Sequence, residues 1–309
     1  MKRSATVLAV AASLLAACAT NSSGSATPPP RSADSGYVEH WIPYDGQRLY
    51  AREWPGAEPA IVLMHGFPDD LHLYDELVPY LAGRRVIAFD FLGWGQSDKP
   101  AGRKYTAASQ TRDVAAVLDY FQLDRAVLVV HDASGPPGID WALEHPDRAA
   151  RLVLLNTYYS LMPTLHAPEA ITLYSTPALK SIADTVAASS DLNRALYFWQ
   201  VGAFIKDDAL RARLVPQFWE RFQASFPAFR SLNDALQADV AAHTASVDRL
   251  GAFTPPVQII FGAEDPYLNR GVARSFYELF PQSELILVDG AAHYVQVDAP
   301  ERVARELLR

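Results

Sequence analysis

The chain has 309 residues, half of them hydrophobic and 11% aromatic, with a mean hydropathy near zero. That is enough apolar mass for a sizeable core, and it excludes both a disordered chain and one that spans a membrane throughout. With 27 Lys and Arg against 35 Asp and Glu, a formal charge of −8, it is not built to track a nucleic-acid backbone, and the length suits one domain carrying an insertion.

The N-terminus has the layout of a secretory signal over residues 1–17: Lys2-Arg3, an apolar stretch from Ala5 to Ala17, then small residues. That stretch is shorter than the roughly 20 apolar residues a helix needs to cross a bilayer. It ends in Leu15-Ala16-Ala17-Cys18, which resembles the bacterial lipobox, a motif whose cysteine is acylated and becomes the new N-terminus. The alternative is an ordinary signal with an incidental Cys18. Cys18 is the only cysteine, so no disulfide forms within the chain. Residues 18–36, rich in Ser, Gly and Pro, are too polar to pack and read as a flexible tether. The expectation is an exported envelope lipoprotein, periplasm-facing and held to a membrane only by its lipid.

From Tyr37 short apolar runs alternate with amphipathic ones, the pattern of strands and helices wound into a mostly parallel sheet. The predicted strands are Val38 to Ile42 and Arg48 to Trp54 as an opening hairpin, then Ile61 to His65, Val86 to Asp90, Ala126 to His131, Leu152 to Asn156, Val257 to Phe261 and Glu284 to Val288. The predicted helices are Leu71 to Leu81, Ala107 to Phe121, Gly135 to Glu144, Gly271 to Phe280 and Pro300 to Leu308. This places an α/β core over 37–157 and 251–309, with a doubly wound, eight-stranded, mostly parallel sheet. Between them, 158–250 shows no strand-like run and reads as helical pieces separated by Pro163, Pro168, Pro177, Pro216 and Pro227. An all-helical cap after the sixth strand would cover the sheet's carboxyl edge, where ligands bind in open α/β sheets.

The segment Ala126-Val-Leu-Val-Val-His-Asp132-Ala-Ser-Gly135 runs from a β-branched strand into a turn and a helix, the context of a nucleophile elbow. The strand places Asp132 at the nucleophile position. Ser134 is the competing nucleophile, but it lacks small residues on both sides and lies far past the strand. A helix N-cap is the bland role for Asp132. In this fold class an acid and then a histidine follow the nucleophile, each after a late strand. Asp265, in Gly262-Ala-Glu-Asp265-Pro, supplies the acid, with Glu264 as alternative, and His293, after the last strand, supplies the base. The loop Met64-His-Gly-Phe-Pro68 follows the third strand, so the NH groups of Phe67 and Ala133 are the expected oxyanion hole.

Taken together, His65-Gly-Phe-Pro68, Asp90-Phe-Leu-Gly-Trp-Gly-Gln-Ser-Asp98, Leu128-Val-Val-His-Asp132, Gly262-Ala-Glu-Asp265-Pro, His293-Tyr-Val-Gln296 and Ala299-Pro-Glu301 resemble the α/β-hydrolase branch that holds haloalkane dehalogenases, haloacetate dehalogenases and epoxide hydrolases. The resemblance covers both core segments and stops at the cap. It implies a carboxylate nucleophile that forms an alkyl ester, later cleaved by water activated by His293, with no metal or organic cofactor. Haloalkane dehalogenases usually carry Trp after the nucleophile as a halide donor; here the residue is Ala133, with Phe67 at the other core position. Tyr197, Trp199 and Trp219 in the cap are the candidate leaving-group or pocket residues. Epoxide hydrolases use two cap tyrosines, of which Tyr197 is one candidate, while the second position holds Phe229 before Arg230. Haloacetate dehalogenases need arginines after the nucleophile, and none is near Asp132. The expected activity is haloalkane dehalogenase-like hydrolysis of small apolar electrophiles. The alternatives are epoxide opening, a serine-type ester hydrolase, and a non-catalytic binding lipoprotein. Oligomeric state is left open.

Overall fold

The computed structural model describes residues 36–309, so the expected signal over 1–17, Cys18 and nearly all of the tether over 18–36 lie outside the described residues. Strands β1 (Val38–Tyr44) and β2 (Gln47–Trp54) form the opening hairpin. Its turn residues Asp45 and Gly46 both have positive φ, 50° and 72°, as a two-residue turn between right-twisted strands requires. There follow β3 (Ala57–Met64), β4 (Arg84–Asp90), β5 (Ala126–Asp132), β6 (Ala149–Thr157), β7 (Val257–Gly262) and β8 (Ser283–Val288). All eight join one sheet in the order β1-β2-β4-β3-β5-β6-β7-β8. β2 pairs antiparallel with β1 and β4, and every other neighbouring pair is parallel.

The central strands are apolar without alternation because helices cover both faces: Ile61 to Met64 and Ala126 to Val130 are all buried. Core helices are α1 (Ala107–Tyr120) and α2 (Gly135–Glu144). A reciprocal capping box between Thr106 and Ser109 starts α1. The predicted helix over 71–81 is instead two short 3₁₀ turns, Leu71–Tyr74 and Val78–Leu81. Pro79 lies in the first turn of the second, where it removes the NH a continuous α-helix would need.

Between β6 and β7 the described residues hold α3 (Glu169–Ser175), α4 (Lys180–Ala188), α5 (Ser190–Gly202), α6 (Asp208–Phe222) and α7 (Phe226–Ala245). One of the prolines expected to separate helices does not: Pro216 lies inside α6. Pro227 does mark a boundary, in the first turn of α7, where its missing NH leaves nothing unsatisfied. Arg221 of α6 reaches Asp70 at 3.0 Å, and Arg213 reaches Glu76 at 2.9 Å, fastening these helices to the loop after β3. The last helices are α8 (Arg270–Leu279), α9 (Val295–Asp298) and α10 (Pro300–Leu307). The strand order reverses direction around β3, with β4 on one side and β5 on the other. Such a switch point opens a crevice at the strands' carboxyl ends, and the loops after β3 and β5 meet there. Among the described residues no helix is long and apolar enough to cross a membrane.

Candidate active site

Asp132 ends β5 with φ of 47°, a left-handed conformation uncommon for a side-chain-bearing residue and one found where a site over-determines the backbone. The turn is held from within. Ser134 Oγ accepts from the His131 NH at 2.8 Å and sits 2.8 Å from both the Met64 and His131 carbonyls. Its hydroxyl is thereby consumed in the elbow and buried. Thr157 Oγ1 donates to the Asp132 carbonyl at 2.5 Å. A Cβ on Gly66 would lie 2.5 Å from Asp132 Cβ and 2.8 Å from its Oδ2, so only glycine lets the loop after β3 approach the elbow this closely.

That approach brings the Phe67 NH to 3.2 Å from Asp132 Oδ2, and the Ala133 NH also bonds the carboxylate. The loop is steadied by His65, whose Nε2 accepts from the Phe91 NH at 3.2 Å; Nδ1 therefore carries the proton toward the Gly66 carbonyl, 2.6 Å away. Burial lowers the His65 pKa to about 4, so the ring stays neutral and this hydrogen-bond pattern persists.

The other carboxylate oxygen, Oδ1, lies 3.9 Å from His293 Nε2. His293 Nδ1 stands 2.8 Å from Asp265 Oδ2. Asp265 is buried but fully bonded: Oδ1 accepts from the NH groups of Tyr267 and Leu268 at 2.8 and 3.2 Å, and Oδ2 accepts from Asn156 Nδ2 at 2.9 Å. Burial pushes the Asp265 pKa up, but the His293 charge and these bonds outweigh it and leave it below the ordinary value. Burial likewise opposes charge on His293, yet Asp265, then Asp132 and Asp69, hold its pKa above normal. Burial raises the Asp132 pKa, opposed by His293 and the two NH groups.

The structure thus brings Asp132, Asp265, His293 and the NH groups of Phe67 and Ala133 together. Glu264 points away and pairs with Lys206 at 2.7 Å. Asn156 was not singled out by the sequence reading, although it is the polar residue ending an apolar strand. It has a positive φ of 27°, and its Oδ1 accepts from the Gly262 NH at 2.7 Å. It therefore ties β6 to β7 under the acid.

Above these residues lies a cavity lined by Phe67, Asp132 and His293 from the core and by Ile171, Leu196, Val201, Phe222 and Phe229, among others, from the cap, with about 500 Å³ of empty space that includes its opening to solvent. Its largely apolar lining suits a small apolar organic molecule. Tyr197 lines it, and its hydroxyl is buried without a partner among the described residues. The Tyr174 hydroxyl, also on this wall, donates to Asn193 Oδ1 at 3.2 Å. Two cap candidates fall elsewhere. Trp199 is 40% exposed on the outer side of α5, because the neighbouring helical positions Leu196 and Gln200 turn inward instead. Trp219 packs behind Tyr197, ring centres 5.1 Å apart, without reaching the cavity wall. Gln200 lines the cavity and joins the cap to the acid loop: Oε1 accepts from the Ala170 NH at 3.1 Å, and Nε2 donates to the Tyr267 hydroxyl at 2.9 Å. Among the described residues no cluster of His, Cys, Asp and Glu could hold a metal ion.

Comparison with known proteins agrees with this fold. A family model described as alpha/beta hydrolase fold matches residues 59–300. The chain is similar to a haloalkane dehalogenase of Mycobacterium marinum, 32% identical over 268 residues covering 84% of this chain and 86% of the relative. It is also similar to one of Psychrobacter cryohalolentis, 28% identical with 84% and 86% covered. Among solved structures, a haloalkane dehalogenase from Agrobacterium tumefaciens superposes with a TM-score of 0.74 over 88% of this chain and 95% of that one. At 24% identity that likeness speaks to the fold alone.

Proposed function

This chain belongs to the α/β-hydrolase fold family and is a hydrolase, and from that premise we propose that it hydrolyses small apolar electrophiles, haloalkanes first, through a covalent alkyl ester on Asp132. The observation that carries the reading is the division of labour within one carboxylate: Oδ2 is held by the Phe67 NH while Oδ1 faces His293 Nε2 across 3.9 Å.

That spacing is too long for a hydrogen bond, so His293 is not drawing a proton from the nucleophile, as it would from a serine. An ionised carboxylate needs no such help. Oδ1 attacks the saturated carbon, and the bond to the leaving group breaks with its electron pair. Water then gives a proton to His293 Nε2 as its oxygen bonds the acyl carbon of Asp132. The developing oxyanion is Oδ2, the oxygen already lying against the Phe67 NH, with the Ala133 NH also bonded to the carboxylate, so little reorganisation is required at that moment. Collapse breaks the acyl carbon's bond to the alkoxy oxygen, which leaves as alcohol with the proton from His293. Asp132 then returns to carboxylate by losing one proton.

Epoxide opening is the second reading, and it is favoured by Tyr197, which lines the cavity and whose buried hydroxyl has no partner among the described residues, since an opening ring oxygen must be protonated. Phe229, on the same wall, supplies no second donor. The test is to incubate His293→Gln protein with a panel of haloalkanes and epoxides and measure intact mass. A stable adduct on Asp132 is expected, and its mass names the substrate class. No adduct with any of them, together with ester turnover that disappears in Ser134→Ala, would overturn the reading. Lipid anchoring at Cys18 belongs to the same proposal and predicts that Cys18→Ser abolishes partitioning into detergent.

A further inference from the structure

Asp69, directly after the Phe67-Pro68 pair, is a buried carboxylate with no part in the steps above. The nearest guanidinium does not serve it, because Arg221 turns to Asp70, at 3.0 Å. Asp69 Oδ1 accepts from the Tyr294 hydroxyl at 2.6 Å, and Oδ2 has no partner among the described residues. It lines a small cavity of about 200 Å³ with Asp70, Arg221 and Ser225, divided from the main cavity by Pro68 and Phe222, which line both. A buried carboxylate without a cation is destabilising, and such groups cluster where chemistry uses them.

Its single bond spans two loops that must stay in register. Asp69 is two residues from the Phe67 NH, and Tyr294 follows His293. Tyr294 is seated firmly: its NH donates to the Phe204 carbonyl at 3.1 Å, and the Phe204 ring lies 4.5 Å from that of His293.

We propose that Asp69 is a positioning residue for the hydrolytic half of the reaction: through Tyr294 it keeps the His293 loop against the oxyanion loop, and its negative charge strengthens His293 as a base. The proposal rests on the assignment of His293 as the base that activates water. The groups facing Asp69 are Tyr294 and His293 from the loop after β8, Asp132 from the elbow, Tyr197 from α5, Arg221 from α6, and Asp70 and Tyr74 from its own loop. Burial, aided by the charges of Asp132 and Asp70 and opposed by Tyr294 and His293, raises the Asp69 pKa to about 7. Esterification erases the Asp132 charge, and protonation of His293 adds a positive one. Both changes favour loss of the Asp69 proton, so the carboxylate becomes negative at the step in which His293 must hold a proton. In return, the Asp69 charge raises the proton affinity of His293.

The experiment is single-turnover breakdown of the alkyl-enzyme against pH in wild type, Asp69→Asn and Tyr294→Phe. Asp69→Asn retains an acceptor for Tyr294 but removes the charge. Breakdown relative to ester formation is expected to fall about tenfold, with the acid limb moving to lower pH by roughly half a unit or more. Tyr294→Phe is expected to slow breakdown with a smaller displacement of that limb. An unmoved limb in Asp69→Asn, with only thermal stability changed, overturns the proposal. Carboxyl infrared titration of the resting protein is independent of substrate: a buried carboxyl titrating near neutral pH in wild type and missing in Asp69→Asn is expected, and no difference between the two also overturns the proposal. Failure of the alkyl-enzyme reading itself shows up separately, as no adduct in His293→Gln.

Discussion

On the core side Asp265 receives four partners, from His293, Tyr267, Leu268 and Asn156, and the Asp132 carboxylate is held by two backbone NH groups. On the cap side the cavity wall is largely apolar, from Ile171 to Phe229, and the Tyr197 hydroxyl has no partner among the described residues. The core side is organised around charge, whose placement within a low-dielectric interior must be fixed before reaction. The cap side is organised around shape, where aromatic packing such as Tyr197 on Phe222, centres 4.9 Å apart, tolerates exchange of one apolar group for another. Damage to the core should therefore be large and chemical, and damage to the cap smaller and selective.

The largest effect is expected from Asp132→Ala, which removes the nucleophile: turnover should fall by about 10⁴-fold or more, with the fold retained by circular dichroism. Next comes Asn156→Ala. It takes one partner from Asp265 and strands the Gly262 NH, a change of about 1–3 kcal/mol, or roughly 5- to 150-fold if it falls on catalysis. The sign of its pH effect follows from Asp265, whose folded pKa is depressed. The stability it contributes is present above the unfolded pKa and is lost as pH falls through the folded one. Losing Asn156 raises that folded pKa, so acid unfolding should begin at higher pH than in wild type. Acid titration of both proteins by fluorescence tests this, and identical midpoints would mean that Asn156 does not act on Asp265.

The same division explains what was legible in the sequence. The eight strands could be read because each is a short apolar run, and Asp132, Asp265 and His293, which the structure brings together, could be picked out because each falls at or a few residues past the end of such a strand, in a chain order that carries the geometry. Asn156 escaped because its function is a positive φ and two bonds to β7 and its loop, which a strand pattern does not display. Asp69 escaped because two adjacent acids read as solvated charge unless burial is known. Cap assignments were poorest where they depended on which side of a helix faces inward. Trp199 and Tyr197 are two residues apart, so they project to different sides of α5, and composition alone does not say which is inside.

The two tryptophans give the smallest effects on the chemical step. Trp219 lies behind Tyr197 and Phe222, with ring centres 5.1 and 6.1 Å away. Trp219→Ala should cost about 3 kcal/mol or more of stability by leaving a cavity, and should raise KM more than it lowers kcat because Tyr197 loses its backing. Trp199→Ala removes a ring that is 40% exposed and does not line the cavity, so stability should change by no more than about 0.5 kcal/mol and kcat/KM should stay within twofold. A loss of tenfold or more, confined to haloalkanes, would mean that α5 turns on substrate binding and brings the indole inward. The cap would then be a moving source of leaving-group donors, and its contrast with the prearranged core would be one of timing as well as chemistry.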